Sequence, residues 1–469
     1  MRLIAGIFMV LALARAAGLW LADPMLAYAN NYDQIRIIRT FGMQPKDAPV
    51  ALYESTPNRP YRYYEQKDRY HTPMYPSSDI AVKIFMLGGM RIAAFGDDVL
   101  DIKIGGAMML AVWAFFVIYF ARALRLHETG LLIFSAWAFL IADPVNFLFL
   151  NTWYAEFPAF VSFTILGGIL LAWYFRALPR KTMLQVGGAA LFMLALNRKQ
   201  YMFLPLALWL MAFAATALQA HGRAAIRQSA RAWGLWLLMA LLTVAWMGSS
   251  LGQLKMAAQA NRTDTIFGAL LPASKKPALA MERMGLPASC AQFIGSNWYF
   301  TPTEKFNEHC PEVFEVSLPK MGLAVAGEPS IMERIIRHIS RHHRAFLQTH
   351  LGHIEKADFG KIEGQDTLAA FSADAILQML PDKAIEILIH LMYLAPVLCG
   401  LGLFCAGWRR AAAYFLLLGF AYAYVLFSSI FGDGYMEVKR HAVLSFSIGA
   451  LMVASFALLP LQIILKRRE

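Results

Sequence analysis

ADPVNFLFLNTWYAEFPAF, residues 142–160, breaks what would otherwise be two apolar runs long enough to cross a membrane. It sets Asp143 and Glu156 among phenylalanines, leucines and a tryptophan. An ionisable group at membrane depth is costly unless it is paired or faces a water-filled cavity. Irregular backbone there needs the same shelter, because lipid offers no hydrogen-bond partners. The stretch therefore reads as a broken hairpin dipping in from one face, with Asn151–Glu156 at its tip lining a cavity. Asp143 before Pro144 is expected to cap and end the inner half-helix.

The rest of the chain fits a membrane setting. It has 469 residues, of which 58% are hydrophobic and 16% charged, whereas soluble proteins run near 45–50% apolar and about 25% charged. Apolar runs of about 18–20 residues recur, enough for a hydrocarbon core of ~30 Å. Spans are expected near 3–21, 105–122, 131–149, 157–176, 183–197, 201–219, 233–250, 386–407, 411–430 and 442–464. The fold class is an all-α polytopic membrane protein of about ten such helices with two large outer loops, 22–104 and 251–385.

The formal charge of +12 is not a nucleic-acid footprint, because of where the cations lie. They gather in alternate connections: Arg122 and Arg125; Arg176, Arg180 and Lys181; Arg223, Arg227 and Arg231; Arg409 and Arg410; and Lys466, Arg467 and Arg468. By the positive-inside rule these face the cytoplasm, so both termini lie there and the long loops face out. A cleaved signal peptide is the weaker reading of the first run, since its n-region is one arginine and Arg15 interrupts it. Three parts follow: 1–250, a membrane module with the first outer loop and a cavity; 251–385, an outer loop domain; and 386–469, the last transmembrane helices.

Cys290 and Cys310 share the second outer loop, where an oxidising compartment favours a disulfide. Cys399 and Cys405 fall in a span and read as small buried residues. In the first loop, Ile35, Ile38 and Phe41 have helical spacing, and SDIAVKIFMLGGMRIAAFG (78–96) reads as an interfacial helix carrying Lys83 and Arg91. Helical pattern recurs around 329–350 and 367–380.

Four polar clusters lie at the outer ends of spans. They are Asn30–Asp33 with Arg36 and Arg39; Asn151–Glu156; Asn197–Gln200; and Gly432–His441. Their mixture suits transfer from an anionic lipid carrier. A carboxylate can serve as general base on an acceptor hydroxyl, and Arg or Lys can clamp a phosphate leaving group. Lys199 and Arg440, then Arg198 and His441, are the candidate phosphate-binding residues. Asn31, Tyr32, Arg36, Asn151, Trp153, Tyr154, Asp433 and Glu437 are candidates for substrate binding. No P-loop, no GxGxxG after a strand and no HExxH occurs. His338, His342, His343, His350 and His353 are flanked by arginines, which favours a basic amphipathic face over a metal cluster.

ANNYDQIRI, NTWYAEFPAF, NRKQ, NRTDTIFGALLP, GLPASCAQFIGSNWY and GDGYMEVKRHAVLSF together resemble bacterial GT-C-type membrane glycosyltransferases. The resemblance implies inverting transfer from a polyprenyl-phosphate-linked sugar, with the catalytic base at Asp33 and a second acidic position at Glu156. Asn31-Tyr32-Asp33 offers one carboxylate where that family usually has an adjacent acidic pair. No cofactor is certain, and a divalent metal ion is not indicated. The expected partners are the polyprenyl-phosphate-linked sugar donor, membrane lipids and an acceptor that is a saccharide, a lipid or a protein such as pilin. The expected location is the bacterial inner membrane, with the active site facing the periplasm. Two other readings are a transporter or flippase of lipid-linked saccharide and a polysaccharide polymerase or ligase. Transporters usually bind at mid-membrane between symmetry-related halves, and neither feature is legible here.

Overall fold

The computed structural model describes residues 1–23, 25–27, 34, 37–46, 61–67, 77–208, 234, 237–238, 240–245, 255–298, 301–335, 381–405, 408–433 and 443–466. The long helices are α1 (Arg2–Leu21), α2 (Ser78–Ala94), α3 (Ile102–Leu124), α4 (Glu128–Ile141), α5 (Glu156–Phe175), α6 (Arg180–Asn197), α7 (Asp382–Cys405), α8 (Arg409–Asp433) and α9 (Val443–Lys466). Among the described residues, α1, α3, α5 and Arg409–Gly432 of α8 are long and apolar enough to cross a membrane. Of the expected spans, 201–219 and 233–250 fall largely outside the described residues.

Side-chain contacts give the helices a common polarity. Arg2 pairs with Glu128 at 3.0 Å and Arg15 with Asp143 at 2.9 Å, so α1 and α4 run parallel. Arg410 lies over the Trp173 ring and Tyr174 over Tyr414, which puts the start of α8 beside the end of α5. The α3–α4 and α5–α6 connections and the start of α8, with their arginines, therefore share one end of the bundle. The ends of α4, α6 and α8 and the start of α5 share the other. Close approach inside the bundle depends on glycine: a Cβ on Gly168 would collide with the Phe120 ring, and one on Gly167 with Trp137.

Four expectations change, the simplest being that Cys405 is exposed and Cys399 half-buried rather than both buried. The third span does not continue to 149. It stops at Ile141, and 142–155 runs as buried irregular chain with one short helix, Pro144–Phe147. Apolarity persists through FLFL because that chain is enclosed by protein rather than lipid: Trp113 packs on Phe147 at 5.2 Å, and Phe147 packs on Phe157. Asp143 does more than end a helix, since its carboxylate takes the Arg15 guanidinium, the charge that interrupts α1.

The chain is also not purely helical. β1 (Met43–Pro45), β2 (Tyr63–Gln66) and β3 (Val99–Asp101) form an antiparallel sheet in the order β1-β2-β3, with Gln44 opposite Glu65 and Tyr64 opposite Leu100. Arg62 and Asp101 pair at 2.7 Å, and Asp101 also caps α3 by accepting from the Lys103 N–H. Finally, α2 forms as expected, but Lys83 points into the protein. On the opposite side of the helix, Ile84, Phe85 and Ile92 are exposed.

Within 251–385, a helix (Lys255–Thr263) passes into a π-helix (Asp264–Leu270), followed by short helical turns as far as 335. Phe267, Phe293 and Phe306 stack in its core, and a disulfide joins Cys290 to Cys310. Thr265 Oγ1 donates to the Ile430 carbonyl, which fastens this unit to the end of α8.

Candidate active site

Glu156 opens α5, where the positive end of the helix dipole favours a carboxylate. Pro158 two positions later is tolerated because first-turn amides lack helical partners anyway. Arg198 follows α6 in extended backbone (φ −145°, ψ 148°), which turns its side chain back across the bundle. Its guanidinium pairs with Glu156 Oε1. The pair is nearly enclosed: the carboxylate side chain is 2% exposed and the arginine side chain 14%.

A second pair lies against it on α2. Lys83 Nζ is 3.8 Å from Asp79 Oδ1, one helical turn away, and both side chains are buried. The ammonium donates to the carbonyl oxygens of Tyr154 at 2.9 Å and Thr152 at 3.3 Å. Burial pushes the Asp79 carboxyl up to about 6, opposed by the Lys83 charge and reinforced by that of Glu156. Burial likewise pulls the Lys83 ammonium below its ordinary value, while Asp79 and Glu156 hold it up. Two carboxylates and two cations thus form one buried cluster with no net charge. Asp79 Oδ1 and Asn197 Oδ1 accept no hydrogen bond among the described residues, which leaves acceptor capacity for a hydroxyl.

The hairpin tip stands one layer behind. Asn151 Nδ2 donates to the Leu26 carbonyl at 3.3 Å, and the Trp153 N–H donates to Gln34 Oε1 at 3.2 Å. The Trp153 ring is fully buried, 5.8 Å from Phe41 and edge-on to Tyr64 at 5.6 Å. Tyr154 packs edge-on against Phe149. Asn151, Trp153 and Tyr154, expected to touch substrate, here join the broken hairpin to the first-loop segment and its sheet, with no ring face open to a sugar.

The structure thus brings together Glu156 and Arg198 from the expected set. Lys199 begins the 3₁₀ turn Lys199–Tyr201 directly after Arg198, and the Tyr424 hydroxyl of α8 donates to the Gln200 carbonyl at 2.9 Å. Asp433 ends α8. Neither the Lys199 nor the Asp433 side chain is described. Asn31, Tyr32, Asp33, Arg36, Glu437, Arg440 and His441 lie outside the described residues.

Asp79 and Lys83 are the cluster members that sequence reasoning passed over. Their signal was an acid and a base at i and i+4 inside an apolar helix. Asp264, in one of the motif stretches, holds the Trp298 N–H at 2.6 Å through its Oδ1. Metal ligation has a poor candidate in Cys290, Cys310 and Glu312, since the two sulfurs are already joined to each other.

Against known proteins, a family model described as the YfdI N-terminal transmembrane domain matches residues 4–467. No curated protein and no solved structure matches the chain.

Proposed function

The chain belongs to the YfdI N-terminal transmembrane domain family, and from that premise we propose an inverting glycosyltransferase. It moves a sugar from a polyprenyl-phosphate carrier to a glycan, lipid or protein acceptor at the outer face of the bacterial inner membrane. The observation that carries this reading is the buried Glu156–Arg198 pair, at the end of the bundle opposite the arginine-rich connections. A phosphate entering the cluster competes with Glu156 for the guanidinium, which recognises either oxyanion in the same forked geometry. Arg198, with Lys199 beside it in the chain, then stabilises the charge left on the departing phosphate. Glu156, released from its partner, accepts a hydrogen bond or a proton from the acceptor hydroxyl. Asp33 keeps its place as the base implied by the family resemblance, with Glu156 the second carboxylate.

The one-ended polar cluster favours transfer over transport, since a carrier exposes its site alternately to both sides. The test supplies purified full-length protein in lipid with polyprenyl-phosphate sugars and follows labelled sugar into envelope fractions. Transfer by the wild type that is lost in both Arg198→Gln and Asp33→Asn supports the proposal. Movement of intact carrier across the bilayer without glycosidic bond formation supports the flippase instead.

A further inference from the structure

Helix α2 grips both arms of the site. At its start, Ser77 Oγ donates to the Asn197 carbonyl at 2.9 Å and Ser78 Oγ to the Met193 carbonyl at 2.5 Å. Those residues lead into Arg198. One turn further, Lys83 holds the carbonyls of Thr152 and Tyr154, which lead into Glu156. A single helix thus fixes the backbone on both sides of the ion pair.

Lys83 is 1% exposed, although the opposite side of its helix carries exposed Ile84 and Phe85. A lysine near a membrane surface ordinarily runs its stem outward and keeps its head in water. Burying an ammonium is costly unless it is fully partnered, so an inward lysine needs a reason. Its partners supply one: two carbonyls of the hairpin tip, the Asp79 carboxylate that keeps it on station, and the nearby charge of Glu156.

Resting on the glycosyl-transfer reading of this site, we propose that Lys83 is the positioning residue for Glu156. Its ammonium locks the 152–154 backbone and remains as the counter-charge to the Glu156 carboxylate when a phosphate draws Arg198 away.

The test uses the full-length protein with Lys83→Met, Lys83→Gln and Lys83→Arg. Hydrogen exchange reads the Trp153 and Tyr154 amides, and sugar transfer is resolved into kcat and KM. Losing the ammonium in Lys83→Met should speed exchange at those amides by about tenfold or more, with α3 amides unchanged. In the same variant kcat should fall by about tenfold or more while donor KM changes little. Lys83→Arg should restore protection and most of the turnover. Lys83→Gln, which keeps a donor but no charge, should regain protection without turnover. Unchanged exchange in Lys83→Met overturns the proposal, as does a loosened tip with normal kcat. If the methionine variant does not fold, equal kcat in the Gln and Arg variants overturns it. Failure of the underlying reading looks different: the wild type transfers no sugar, and the exchange pattern alone then decides whether Lys83 holds the tip.

Discussion

At the scale of single residues, the four-charge cluster makes two measurable commitments. Breaking a buried ion pair from one side typically costs about 3–5 kcal/mol, because the remaining charge stays desolvated. Arg198→Met should therefore lower the thermal midpoint sharply, and adding Glu156→Gln should return much of the loss. Effects of the two single changes that simply add, within ~0.5 kcal/mol, would show that the groups are not coupled. Asp79 makes the second commitment, through pH. Burial raises its carboxyl from the ordinary carboxylate range to about 6, so the folded protein holds that proton more tightly than the unfolded chain. Stability from this group is present at low pH and declines as pH rises through about 6. The charges that act on it are those of Lys83, Glu156 and Arg198. Midpoints recorded from pH 4 to 7 should fall less steeply in Asp79→Asn than in the wild type; identical slopes would remove Asp79 as their source.

At the scale of elements, glycine positions separate packing from propensity. A Cβ on Gly106 of α3 would strike Asn151 Oδ1 and meet the Leu150 carbonyl at 3.4 Å, whereas one on Gly88 of α2 meets nothing within 4 Å. Gly106→Ala should thus cost about 1–3 kcal/mol by overpacking and pull Asn151 off the Leu26 carbonyl. Gly88→Ala should be neutral or gain about 0.5–1 kcal/mol from helix propensity. Thermal midpoints in one detergent compare the two directly, and equal effects would contradict the packing of α3 on the hairpin tip. The same elements show what could be read from sequence. Long apolar runs marked α1, α3, α5 and α8 to within a few residues, because hydropathy over some twenty positions averages out local detail. The end of α4 was invisible to that average: FLFL is as apolar in a protein-enclosed loop as in a span. Strands of three or four residues are too short for an alternation signal, so the sheet was missed. For Lys83 the sequence shows only the acid one turn before it; its backbone-carbonyl partners have no sequence signature. Glu156 and Arg198 were each legible as polar residues at span ends, but their pairing across 42 positions was not.

For the whole molecule, the disulfide and the charge asymmetry point the same way. The Cys290–Cys310 bridge closes a loop with a sequence separation of 20, and removing such a link costs about 3 kcal/mol in the chain-entropy model. Such bridges persist in oxidising compartments, so its loop is expected on the outer side. The contacts of Arg2 with Glu128 and of Arg410 with Trp173 gather the basic connections at the opposite end. Cations held at one end resist translocation, so that end should stay in the cytoplasm and the cluster end should face out. Leu318 is 58% exposed in the disulfide-bearing unit, and Leu126 is 76% exposed in the α3–α4 connection. With Cys399 and Cys405 replaced by alanine and the native bridge kept, Leu318→Cys in intact cells should react with a membrane-impermeant maleimide. Leu126→Cys should react only after the inner membrane is opened. Labelling of Leu126→Cys from outside, with Leu318→Cys protected until lysis, would invert the molecule. The proposed site would then face the cytoplasm, and donor chemistry at the outer leaflet would have to be abandoned.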